Sequence, residues 1–453
     1  MAIPSGSLAA SSFVPLRARL GQPIDVAGLA VFRVLAGVWI AYEAYYRFRH
    51  LAHYTAPRFH FHYPFFSWVQ PWPEPGVTLH IWVMVALAVA VAAGFATRIA
   101  SWLLFFTWTA LFLMERSGFV NHHYLYVWVT LWLALLPTRG ALSLDVWRRP
   151  ELATPFVPAW TRAILMFQMG VVYFFAGLAK LDPDWLSGLS PQAWLGGGRA
   201  FELVQPLMKH SAAPLLIAWG GLLVDLTAVP FLLWRRTRPF AFVALCAFHV
   251  ANWAMLGLAS FPWFSIAATT VFLDPSWPRR LPIVRSLLPS PTAISNDPPP
   301  RPIARSLAWA LTGVVLLQTV VPLRHHLYRG DVAWSEEGAL FSWRMMVRTK
   351  PGWIRFRVED PSSGKVWRVD PASFLGRGQL KDLPASPDMI LQFAHFLAGE
   401  FARHGHAGVR VFADGQVRLN TRPPARLVDP NVDLAAERWT WRSWFWILPS
   451  PRS

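Results

Sequence analysis

Apolar residues along this chain come in long blocks broken by short polar runs, and block length sets the first expectation. Stretches long enough to cross a bilayer, about 20 residues each, recur at 25–46, 77–95, 99–115, 120–138, 160–181, 212–234, 239–258, 260–273 and 304–323. The pattern predicts about nine transmembrane helices. The eighth block is short and holds Pro262, which predicts a broken or re-entrant helix packed against protein. A proline-rich run from Ser286 to Pro302 cannot continue a helix and predicts a loose connector before the last span.

Beyond Leu323 the period changes. Ile354, Phe356 and Val358 alternate with Arg355, Arg357 and Glu359 as on a half-buried strand, and the turn residues 360–364 lead to a second strand. Ser386, Pro387 and Asp388 suit the start of a helix, and Ile390, Phe393, Ala394, Leu397 and Phe401 follow at helical spacing. Asp414-Gly415 between two alternating runs predicts a hairpin. The expected fold is an α-helical polytopic membrane bundle over residues 1–323, followed by a small α+β extracytoplasmic domain over 324–453.

Composition agrees with lipid as the solvent. Of 453 residues, 54% are apolar, only 15% are charged, and 26 are tryptophan, which excludes an ordinary soluble enzyme. The net charge of +17 does not point to nucleic acid, because the basic residues sit in short loops beside the spans. Arg17, Arg19, Arg98, Arg139, Arg148, Arg149, Arg162, Arg235, Arg236, Arg238, Arg279, Arg280, Arg285, Arg301 and Arg305 fall on one side. Arg47, Arg49, Arg58, Arg116, Lys180, Arg199 and Lys209 fall on the other. The excess places the N-terminus in the cytoplasm and the C-terminal domain outside. Met1 to Gln22 lacks the pattern of a removable signal peptide, and the single Cys246 lies within a span. The arginine-, alanine- and proline-rich usage fits a bacterial inner-membrane protein.

Within this greasy chain, Lys180 stands out at the end of the apolar run 167–179. A charge there snorkels to the interface as an anchor, or marks a functional site. An amine that gives up its proton becomes a base. His50, His53, His60 and His62 crowd the first outer loop; without acidic or cysteine partners at ligand spacing they read as a wet, aromatic-rich interfacial loop, and no metal site is expected. Asp182 and Asp184 read as caps or ion-pair partners of the helix end. The sequence holds no P-loop, dinucleotide-binding glycine pattern, paired CxxC or HExxH.

Several segments, in order, resemble the vitamin K-dependent gamma-glutamyl carboxylase family and the wider HTTM membrane-domain group. Asn121-His122-His123-Tyr124-Leu125-Tyr126 resembles the family's Asn-His-x-Tyr-Leu-Tyr signature. Residues 172–185, with Tyr173, Ala176-Gly177, Lys180-Leu181 and Asp184-Trp185, resemble its Tyr-x-x-Ala-Gly-x-x-Lys-Leu-x-x-Asp-Trp signature. His249-Val250-Ala251-Asn252 is similar to the later His-x-x-Asn element. In the outer region, Ser342-Trp343-Arg344-Met345-Met346 and Asp429-Pro430-Asn431-Val432-Asp433 are similar to two further family segments.

The resemblance implies an enzyme in which reduced vitamin K (phylloquinol or menaquinol) reacts with O2 to give a base that removes a gamma proton from a peptide glutamate. The carbanion then takes up CO2, and the quinone leaves as its epoxide. An apolar chamber suits so strong a base, which water would quench. By the same resemblance, Lys180 deprotonates the hydroquinone and His122 and Asn121 hydrogen-bond the glutamate or developing anion. His249 and Asn252 face the quinone oxygens, with Phe261 as a wall against the ring. Trp343, Arg344 and Met346 belong to the segment that meets the acceptor. Partners implied are a glutamate-containing peptide and the bilayer, with oligomeric state left open. The chain departs from the family where Ala339, Leu340, Phe341 and Arg344 replace tyrosines and an acidic residue, which leaves the acceptor open. A membrane scaffold or transporter, or a quinone epoxidase with a diverged acceptor, are the alternative readings.

Overall fold

A computed structural model describes residues 15–194, 210–258, 260–290 and 301–452. Arg199 and Lys209, the first 14 residues and the connector segment 291–300 lie outside the described residues. The principal helices are α1 (Ala27–Tyr46), α2 (Gly76–Ala93), α3 (Thr97–Met114), α4 (Asn121–Leu135), α5 (Trp160–Ala179), α6 (Ala213–Leu233), α7 (Arg238–Leu256), α8 (Phe261–Thr269) and α9 (Arg305–Leu323). Every predicted apolar block therefore holds a helix. Six of them are long and apolar enough to cross a membrane: α1 with its extension to His50, α2, α3, α5, α6 and α9 with its extension to Leu327. α8 is too short, as its block predicted, but Pro262 sits in its first turn, where a missing N–H costs nothing, and starts the helix instead of breaking it.

Helices α1 to α4 pack in succession, α5 to α8 do the same, and α8 closes against α1. The two halves share one core, with Phe32, Ile40, Met84, Leu104, Tyr126, Met169 and Phe264 among its buried members. Small residues set the close approaches. A Cβ at Gly177 would lie 2.6 Å from Leu226 Cδ2, so α5 and α6 can touch only because position 177 has no side chain. Two short strands, β1 (Pro23–Asp25) and β2 (Phe156–Pro158), pair antiparallel and tie the entry of α1 to that of α5.

The outer domain is a three-stranded antiparallel sheet in the order β4-β3-β5, made of β3 (Gly352–Glu359), β4 (Val366–Val369) and β5 (Arg410–Val417). Helix α10 (Pro387–Arg403) covers it with Ile390, Phe393, Ala394 and Leu397. The alternation expected in β3 buries Phe356 and Val358. The hairpin expected at Asp414-Gly415 does not form. Strand β5 runs straight through both residues, and Gly415 lies opposite Ile354 in the ladder. A Cβ at Gly415 would meet Trp353 O at 2.4 Å, so the glycine serves a close backbone approach and no turn.

The first outer loop is not the wet loop its histidines suggested. Phe61 is buried in the core of the outer domain and Phe59 packs beside it. His60 Nδ1 lies 2.9 Å from Glu115 Oε2, while the backbone of His62 exchanges two bonds with Gln392. Alternating aromatics thread this segment into the sheet domain and fasten it to the bundle. A second clamp lies across the molecule, where Asp184 accepts from Asn420 at 2.9 Å and from Arg422 at 2.7 Å and pairs with Arg452 at 2.9 Å. Asp182 caps the short helix after Lys180 and receives both outer nitrogens of Arg452 at 2.8 Å, as its position beside the helix end predicted.

Candidate functional site

The end of α5 builds the centre of the site. Its apolar run carries Lys180 to the helix C-terminus, where the side chain turns inward and is buried. Lys180 Nζ donates to Asp225 Oδ2 at 2.6 Å, and it lies 5.0 Å from the centre of the Trp185 ring. Gly221, one turn before Asp225 on α6, leaves room for the lysine stem, since a Cβ there would be 3.8 Å from Lys180 Cε. Both charges are withdrawn from water, and each is compensated by the other.

This pair sits in the wall of a chamber of about 700 Å³, counted with its mouth, which is within the range of small-molecule sites. Met169, Val172, Ile217, Phe248, Leu258, Phe261, Met345 and Met346 make it greasy; Tyr173, His249, Asn252 and Ser265 supply the polar atoms. His249 and Asn252, three apart on α7, reach the same space. Tyr173 Oη and His249 Nε2 are 2.8 Å apart, and Tyr173 Oη lies 3.3 Å from Thr269 Oγ1. That chain of bonds fixes the imidazole and leaves its buried Nδ1 without a protein partner among the described residues.

A second, more polar cleft of about 970 Å³ lies between bundle and outer domain. Arg116, Asn121, Arg344 and Arg348 line it together with Glu336 and Asp382. Burial pushes the Arg344 guanidinium below its ordinary value while Asp182, 3.9 Å away, pulls it back, so it stays a cation. Met346 lines both spaces and stands between them. Phe341, Trp343 and Met346 all adopt positive φ, at 61°, 57° and 58°. Such backbone is costly for residues with side chains, and three instances within six positions show a segment forced into shape by its surroundings.

The predicted site residues thus divide. Lys180, His249, Asn252, Phe261 and Met346 share the chamber; Asn121, Arg344 and again Met346 share the cleft, with Asn121 Nδ2 donating to Arg344 O at 3.4 Å. His122 lines neither. Its ring stacks on Phe261 at 5.6 Å, and its Nε2 lies 4.0 Å from Glu43. Trp343 is buried against Tyr124, with ring centres 4.8 Å apart, and positions the segment from behind.

Behind Phe261, Glu43, His122 and His123 bring ligand-type atoms within 4.8 Å of one another, the spacing a metal would need. Both Glu43 oxygens are engaged, Oε1 by Arg47 and by His123 at 3.2 Å and Oε2 by Ser260, and the Arg47 cation opposes a second positive charge there. The trio reads as a hydrogen-bonded network that holds the His122 ring.

Two groups escaped the sequence reading. Asp225 is the lone acid inside the apolar block 212–234, and a lone intramembrane carboxylate is itself a signal that could have found it. Glu43 is the corresponding acid of α1.

Residues 21–277 match the family model of the HTTM domain, and residues 304–453 match that of the vitamin K-dependent gamma-carboxylase, lumenal domain. A helical bundle with membrane-length apolar helices, joined to a lumenal-type α+β unit, defines an integral membrane protein of the HTTM class. Within that class, the chain belongs to the vitamin K-dependent gamma-glutamyl carboxylase family. The second match begins at residue 304 and so includes α9. No solved structure matches the chain.

Proposed function

We propose that this protein couples the epoxidation of a reduced naphthoquinone by O2 to the gamma-carboxylation of glutamate in a peptide, with CO2 as the carbon source. The observation that carries this reading is the Lys180–Asp225 pair in the wall of a greasy chamber whose other polar atoms are those of His249, Asn252, Tyr173 and Ser265. The residues fit a quinol: apolar walls for the ring and tail, and a buried His249 Nδ1 still in need of a partner. When bound, the hydroquinone supplies, with O2, the base that takes the gamma proton.

Lys180 Nζ first passes one of its protons to Asp225 Oδ2, 2.6 Å away, and as the neutral amine then takes the quinol proton. His249 Nδ1 and the Asn252 carboxamide orient the quinol oxygens, while Phe261 presses on the ring with His122 stacked behind it. Asn121 and Arg344 receive the acceptor carboxylate from the cleft side, and Met346 separates the two halves of the reaction. In this reading residues 1–323 cross the bilayer about nine times with the N-terminus in the cytoplasm, and the chamber and residues 324–453 face outward, in a bacterial inner membrane.

The test supplies the purified protein with vitamin K hydroquinone, O2, labelled bicarbonate and a glutamate peptide. Epoxide together with label in the peptide is expected. Neither product would sink the proposal, whereas epoxide without fixed label would keep the quinol half and move the acceptor to other chemistry, in line with Arg344 and Phe341 in the acceptor segment.

A further inference from the structure

At the end of the bundle away from the α+β domain, the loops before α3 and after α4 form an open cleft of about 840 Å³. Helix α3 fixes that placement: it begins at Thr97 in the cleft and ends at Met114, four residues before Gly118 N donates to Asp382 of the outer domain at 2.7 Å. Its 18 residues rise about 27 Å, which is close to the thickness of the hydrocarbon layer.

The cleft is built around one carboxylate. Asp145 accepts from Ala96 N at 2.8 Å, from Thr97 N at 2.8 Å and from Thr97 Oγ1 at 2.7 Å, and its own N–H donates to Gly94 O at 2.9 Å. These bonds lock the two loops together and use the acid up as a helix cap. Buried Arg33 holds the next loop from below, donating to Thr138 O at 2.9 Å and Ala141 O at 3.3 Å. Around this frame stand Arg98, Arg139, Arg148 and Arg149, all exposed. Among the described residues none of the four guanidiniums has an ion-pair partner within 4.0 Å; Arg148 lies over the Phe95 ring at 5.6 Å. Four cations against one committed acid leave the cleft strongly positive on a rigid floor.

Its rim is apolar. Trp147 is 80% exposed, Ile99 67% and Phe95 45%, at the level where a bilayer meets water. A soluble anion has no use for such a rim, but a lipid does, since its phosphate would lie among the arginines while its glycerol and chains cover the rings.

We propose that this cleft is a binding site for the phosphate headgroup of an anionic phospholipid in the leaflet opposite the α+β domain. The site is separate from the chamber and stands or falls independently of the proposed reaction. Arginine keeps its charge throughout the working pH range, so occupancy depends on salt and lipid composition and little on pH.

The test places the full-length protein in phosphatidylcholine nanodiscs with a stepped fraction of phosphatidylglycerol and counts retained lipid by native mass spectrometry. Wild type is expected to select phosphatidylglycerol, and R98Q/R139Q/R149Q to hold it on the order of a hundredfold more weakly, at roughly fivefold per arginine. R235Q/R236Q, which changes two exposed arginines at the same end, is expected to behave as wild type. Equal retention in the triple variant, or equal loss in the double variant, overturns the site. Displacement of the lipid by millimolar inorganic phosphate would make it a free-anion site and overturn the lipid assignment; retention under phosphate supports it. If the triple variant does not fold, R139Q and R149Q singly carry the same comparison, each about fivefold weaker.

Discussion

Among the described residues two lysines are buried beside carboxylates, and their surroundings differ in a way that bears on the proposed chemistry. Lys180 has one carboxylate, Asp225 at 2.6 Å, donates more weakly to Ala176 O at 3.4 Å, and opens onto a chamber. Lys350 also has a carboxylate, Glu336 at 2.8 Å, but Glu336 is shared with Arg348 at 2.7 Å, and the amine donates to Trp334 O at 2.6 Å. Lys350 lines neither the chamber nor the cleft and stands behind Glu336, which lines the cleft. Burial alone does not make a base. In the proposed reading a lysine can serve as the base when its carboxylate is unshared and space for a substrate lies on its other side.

The largest expected effect breaks this comparison if it fails. Lys180→Ala should lower quinol epoxidation by about 10³-fold, while Lys350→Met should leave the rate per folded molecule unchanged. Equal losses in the two variants, measured after matching for folded protein, would mean that both lysines are structural. Next comes Asp225→Asn, expected to reduce kcat by about 10- to 100-fold with little change in KM for the quinol, and to be partly rescued by Asp225→Glu. A loss confined to protein yield would assign Asp225 to folding.

The third effect concerns stability and pH. Burial, only partly offset by Glu336, pushes the Lys350 ammonium from 10.5 down to about 8. Because the folded value lies below the unfolded one, the unfolded chain binds more protons between them, and stability rises as pH climbs from about 8 toward 10.5. The gain should be about 3 kcal/mol in thermal or denaturant unfolding and be absent in Lys350→Met. The smallest effect sharpens what a purely structural carboxylate does. Burial raises the Asp184 carboxyl, but bonds from Arg422, Asn420 and Arg452 outweigh it and hold the group below its ordinary 3.8. Its contribution is therefore complete above that value and is lost as pH falls through the depressed one. Asp184→Asn should cost about 1–2 kcal/mol at neutral pH and flatten the acid limb of the unfolding curve.

Helix positions were legible because membrane helices must satisfy their own backbone and present apolar surface over a set length. The blocks from 25–46 to 304–323 each became a helix, and the motif around Lys180 marked the helix end that the structure buries against Asp225. The strand at Ile354–Val358 and the helix after Ser386 followed from period and turn chemistry. Asp414-Gly415 misled because the dipeptide that favours a turn also permits a tight ladder, and only the partner strand distinguishes the two.

By itself, then, the sequence determined the medium, the two-part build and the residue types at the candidate site, since these depend on local composition and on spacing along one helix. The tertiary structure decided the pairings. It set Asp225 of α6 against Lys180 of α5, placed His122 behind Phe261 instead of in the chamber, and sent Asn121 to a second cleft that Met346 divides from the first. Each of these is a contact between segments far apart in the chain, fixed by which helix faces meet, and helical period alone carries no information about that.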